Sequence, residues 1–81
     1  MMSTMTHLES DRVIPHLPFG RLHVQHLATG DERDVVVTAI DSNGSIIAER
    51  RASTRRDADA AHSIESELSD ELRRSLEASR N

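Results

Sequence analysis

Four arginines, Arg50, Arg51, Arg55 and Arg56, stand in one short stretch, Glu49-Arg50-Arg51-Ala52-Ser53-Thr54-Arg55-Arg56-Asp57, of a chain whose formal net charge is −4. Guanidinium groups at that density could hold a phosphate or a carboxylate, because their planar fork matches either oxyanion. Two of them, Arg55 and Arg56, fall in the first turn of an expected helix. The macrodipole is positive there, so a cation costs a few tenths of a kcal/mol (about 0.3–1). An anion-binding surface gives such cations a reason that folding alone does not. The competing reading pairs the same arginines with Glu49, Asp57, Asp59 or the Asp31-Glu32-Asp34 turn, as surface ion pairs worth about 0–1 kcal/mol each.

The other reactive side chains do not assemble a site. His23 and His26 are three apart on an expected strand, which sends them to opposite faces. His7 and His16 lie in irregular sequence, and His62 lies on the helix. No His-Glu-x-x-His or paired ligands at helical spacing can be built, so no metal is expected. No serine sits in a Gly-x-Ser-x-Gly elbow, and the glycines form no phosphate loop. Glu65, Glu67, Asp70 and Glu71 are read as the outer face of a solvated helix. No catalytic residue and no cofactor are expected, and the chain reads as a non-enzyme.

The elements that must position the arginines follow from periodicity. Met1 to about Asp11 is polar and unpatterned and reads, through residue 12, as a flexible tail. Residues 13–81 read as a single α+β domain. Val13–Phe19 contains Pro15 and Pro18 and is expected as an extended lead-in that packs Ile14, Leu17 and Phe19. Arg21–Leu27 alternates, with Leu22, Val24 and His26 on one face. Ala28–Arg33 is a turn. Asp34–Asp41 is rich in β-branched residues and gives the strongest strand signal. Asn43-Gly44 then marks a hairpin into Ser45–Ala52. A two-residue turn there pairs Ile40 with Ile47 and places Val35, Val37, Ala39, Ile46, Ala48 and Ala52 on one face. A longer turn with a bulge at Gly44 shifts the pairing by one. The two-residue turn leaves the more complete apolar face.

Thr54 suits an N-cap, with Asp57 three residues on. The helix is expected from about Arg55 to Ser79, with an apolar stripe of Ala60/Ala61, Ile64, Leu68, Leu72 and Leu76. At 1.5 Å per residue it would be roughly 37 Å long, against about 20–27 Å for strands of six to eight residues. The last turns would then overhang, leaving Leu68, Leu72 and Leu76 for self-association or a partner. The expected fold is a three-stranded antiparallel meander with one long C-terminal helix on one face, βββα.

The order strand, hairpin, strand, then Ser53-Thr54-Arg55-Arg56-Asp57-Ala58 opening a helix resembles the C-terminal half of a double-stranded-RNA-binding domain, over roughly residues 21–72. The resemblance implies a phosphate grip by Arg55 and Arg56, with Ala58 as the small residue that follows. The sequence departs from that family in three respects. Prolines replace its N-terminal helix, the Ala28–Arg33 turn lacks Gly-Pro-x-His, and Asp59 stands at its next basic position. In general character the chain also resembles the small inhibitors of phages and mobile elements, anti-CRISPR proteins and antitoxins among them.

Composition limits the classes. The chain has 81 residues, 36% hydrophobic content and one aromatic, Phe19, so its core is small. It has no cysteine, which excludes disulfides and makes the cytoplasm the expected compartment. No stretch is apolar enough to span a bilayer. The expected function is a non-catalytic protein-binding module of the inhibitor type, with homodimerisation as a further form of contact. The alternative is a nucleic-acid-binding module using Arg50, Arg51, Arg55 and Arg56. No membrane partner is expected.

Overall fold

The computed structural model of the chain describes residues 6–55 and 58–79. Four antiparallel strands, β1 (Thr6–Leu17), β2 (Gly20–Thr29), β3 (Glu32–Asp41) and β4 (Ile46–Arg55), precede one helix, α1 (Ala58–Ser79). The strands lie in chain order, β1-β2-β3-β4. The fold is therefore α+β with the helix at the C-terminal end, as expected, but the sheet has four strands rather than three.

The added strand comes from the expected tail and lead-in. Thr6–Ile14 pairs with β2 from Thr29 back to Leu22, through register shifts at Leu8/Ser10 and Ile14/Leu17. The shifts explain why no alternation was legible. Each bulge reverses which residues face inward. Pro15 is accommodated at the second shift, where His16 takes a φ of +63°, and on an edge strand the missing N–H breaks no ladder. Of the expected tail, residues 1–5 lie outside the described residues.

Two tight turns set the middle register. Gly30, with φ +61°, supplies the positive φ that the first central position of a type II′ turn needs. Gly20, with φ +141°, stands where an added Cβ would collide with the Ile40 carbonyl oxygen.

The β3–β4 hairpin corrects the expected turn. Gly44 N donates to Asp41 O at 3.0 Å, and Asp41 N donates to Ser45 O at 2.9 Å. With Gly44 at φ +88°, this is the longer turn with a glycine bulge. Asp41 Oδ1 favours it by accepting from the backbone of Asn43 and Ser45, both at 2.9 Å. Ile40 accordingly pairs with Ile46, not Ile47, but a second shift restores Ala39↔Ala48 and Val35↔Ala52. Beyond the tip the strands keep the register of the two-residue turn. Ile46, expected on the apolar face, is 68% exposed at the tip.

One face of the sheet carries the core. Leu22, Val24, Val35, Val37 and Ala39 pack against Ala61, Leu72 and Leu76 of α1, with Ile14, Leu17, Phe19, Ala48, Ile64 and Leu68 around them. The expected overhang is absent. The helix has 22 residues and β2, β3 and β4 have ten each, so both layers are roughly 33 Å long. Leu72 is fully buried and Leu76 nearly so, Leu68 is half-buried, and the stripe is spent within the chain.

Candidate functional site

Of the arginine cluster, the two members whose side chains are described, Arg50 and Arg51, do not converge. Because β4 continues to Arg55, which pairs with Glu32, Arg55 lies in a strand rather than in a helix turn. β3 offers ladder partners that far, and ending the strand later moves the helix start to Ala58, with Asp59 in its first turn. An acid there suits the dipole. The premise that two cations crowd a helix N-terminus is thereby removed for Arg55. Arg56 and the side chain of Arg55 lie outside the described residues.

Arg50 and Arg51 point to opposite faces, as strand geometry requires. Arg50 faces the helix, where its Nε lies 3.4 Å from Glu71 Oε1 and its Nη1 donates to Glu49 O at 3.0 Å. Arg51 lies on the open face and donates from Nη2 to Asp34 Oδ2 at 2.8 Å. Ser53 Oγ donates to Asp34 Oδ1 at 2.5 Å. These two hydrogen bonds, Ser53 first and Arg51 second, hold the Asp34 carboxyl below its ordinary range. The same partnership, led by the hydrogen bond to Asp34, holds the Arg51 guanidinium above its own.

A second polar group was not read from the sequence. Glu65, expected on the solvated side of the helix, is 6% exposed. Its Oε1 lies 2.8 Å from His26 Nε2, and its Oε2 accepts from Arg12 Nη2. An ionised carboxylate only accepts, so the His26 Nε2 is assigned the hydrogen. The signal was present in the spacing. Ala61, Glu65, Leu68, Leu72 and Leu76 recur by three and four, so Glu65 belongs to the buried stripe by position and was excluded by its charge alone. His26 likewise shares a strand face with Leu22 and Val24. A buried carboxylate opposite a buried imidazole satisfies both.

Arg12 and Arg50 occupy one row across the sheet, Arg12–Val24–Val37–Arg50. One stands on each edge strand, and each holds a glutamate of α1. The apolar centre is thus flanked by two ion pairs that fix the helix across the sheet.

The opposite face has no helix over it among the described residues. It carries Val13, His23, Thr38 and Glu49 in one row and Asp11, Gln25, Val36 and Arg51 in the next. His23 meets Asp11, and Thr38 Oγ1 donates to Glu49 Oε2 at 3.4 Å. Val13 and Ile47 are 51% and 42% exposed. Among the described residues no three ligating side chains gather as a metal would need, and no helix is long and apolar enough to cross a membrane. Comparison with protein-family models, with curated proteins and with solved structures finds no match.

Proposed function

We propose that the chain is a small, non-catalytic protein-binding module of the inhibitor type, which covers a functional surface of a target protein with the open face of its sheet. The observation that carries this reading is the one-sided layering. α1 packs on one face of β2, β3 and β4, while the other face of the sheet presents exposed Val13 and Ile47 among fixed charges. Apolar contacts set within a polar surround are the anatomy of a protein interface. The charged groups around them are already held by internal bonds, so they present a defined pattern that favours one partner over others. The nucleic-acid alternative draws nothing from Arg50 and Arg51, which diverge and are each matched by an acid, and rests on Arg55 and Arg56.

The test is co-purification of the tagged full chain from an extract of its host, with two altered chains beside it. Val13→Glu/Ile47→Glu alters the open face, and Glu67→Arg/Glu77→Arg alters the exposed side of the helix. A stoichiometric protein lost with the first and kept with the second is expected. Equal capture by all three, loss with the helix variant only, or no stoichiometric protein at all would overturn the reading.

A further inference from the structure

The two edges of the sheet are built differently. β1 is interrupted by two register shifts, carries Pro15 and holds His16 at positive φ, the devices that keep an edge from pairing with another chain. β4 has none of these after Ala48. From there to Arg55 it pairs with β3 without interruption, it contains no proline, and as the end strand its other side faces no strand of this sheet. A straight edge presents a row of N–H and C=O groups to an incoming strand. α1 packs on β3, β4 and, to a lesser extent, β2, against the covered face of the sheet.

We infer that β4 joins β4 of a second copy, antiparallel about a two-fold axis at Arg50, so that two sheets continue as one. The charge order of the strand carries the inference. With Arg50 on the axis, Glu49 of each copy stands opposite Arg51 of the other, twice, and both pairs lie on the open face. Ala48 stands opposite Ala52 on the helix side. Moving the register by one residue would set open-face side chains against helix-side ones. Moving it by two sets Glu49 against Glu49, or Arg51 against Arg51, and like charges directly opposite are destabilising. Among the registers within two residues, this is the one that sets opposite charges face to face on the open side.

The remaining charges accommodate it. Arg50 meets Arg50 at the axis, but each is held by its own Glu71, so the axis carries two cations and two anions. Arg51 gives only Nη2 to Asp34, and a guanidinium has further donors to offer an incoming carboxylate. Main-chain hydrogen bonds supply the affinity, as in other strand additions, and the side-chain pairs supply the register. Dimerisation would also place two open faces side by side as one continuous surface.

Light scattering and sedimentation over a concentration series up to the millimolar range test this directly. A reversible dimer is expected for the unaltered chain. Glu49→Arg and Arg51→Glu each replace two attractive pairs by two repulsive ones, and each weakens the dimer about tenfold or more. Mixing the two altered chains restores complementarity, so a heterodimer tighter than either homodimer is expected. Glu49→Gln, the mildest change, must weaken the dimer as well, which keeps the test valid should Arg51→Glu fold poorly. A strict monomer, a dimer indifferent to all three substitutions, or a mixture no tighter than its components would overturn the inference. The open-face reading is tested apart from it, because capture by a monomer or a dimer without capture would separate the two.

Discussion

Each face of the sheet holds one carboxylate between two donors, and the two arrangements do different work. On the covered face Glu65 receives Arg12 and His26, and so ties α1 to β1 and β2, elements distant in sequence. On the open face Asp34 receives Arg51 and Ser53, and ties β3 only to its hairpin neighbour. The chemistry is nearly the same. What differs is desolvation and connectivity, with Glu65 buried and the side chain of Asp34 19% exposed. A polar contact in low dielectric is strong when complete and costly when broken, whereas one at the surface is moderated by water. The covered face therefore carries fold stability, and the open face is freer to carry recognition.

That division can be broken experimentally, beginning where the effect is greatest. Leu72→Ala empties a fully buried position of the covered face and should cost about 3–4 kcal/mol by the usual cavity penalty, read as a lowered midpoint in urea unfolding. A loss below about 1 kcal/mol, the size of a surface change, would show that α1 is not the lid of this core. Glu65→Ala leaves His26 buried without its acceptor and should cost about 1–3 kcal/mol. Arg12→Ala should cost less, because the Arg12 side chain is 52% exposed and water can replace part of the contact. The reverse order would mean that the pair at the rim, not the buried imidazole, secures the helix.

The smallest effect belongs to Asp34 and concerns pH. Its folded carboxyl titrates below the ordinary 3.8, so its contribution is complete above that value and is lost as pH falls through the lowered folded value. Asp34→Asn should therefore be less stable than the unaltered chain at neutral pH, by about 1 kcal/mol or less. The difference should shrink below about pH 4 as the native carboxyl protonates. Thermal melts of both chains between neutral and acid pH would check the sign, and a gap that widens in acid would contradict it.

What could be read from the sequence tracks how regular each element is. Val35, Val37 and Ala39 alternate without interruption, and Leu68, Leu72 and Leu76 keep helical spacing, so the core strands and the helix face were legible. β1 was not, because its bulges and Pro15 destroy the period that reveals a strand. The extension of β4 through Arg55 was hidden for another reason. Thr54 suits both an N-cap and a strand, and only the ladder offered by Glu32 and Arg33 decides between them. Glu65 was missed by classing residues by charge before position. The divergence of Arg50 and Arg51, by contrast, was legible, because strand alternation alone sends neighbours to opposite faces.

The two irregularities of the β3–β4 hairpin have a practical consequence. The glycine bulge at Gly44 shifts the pairing by one, and the shift between Ala39 and Ile40 takes it back. The offset is confined to the tip and never reaches the core. The turn at 42–45 is thus an interchangeable cap. It could be exchanged for a different turn, or opened to receive an inserted peptide tag, while Val35, Val37 and Ala52 keep their partners. For labelling or immobilising this protein without touching its covered face, the hairpin tip is the natural port.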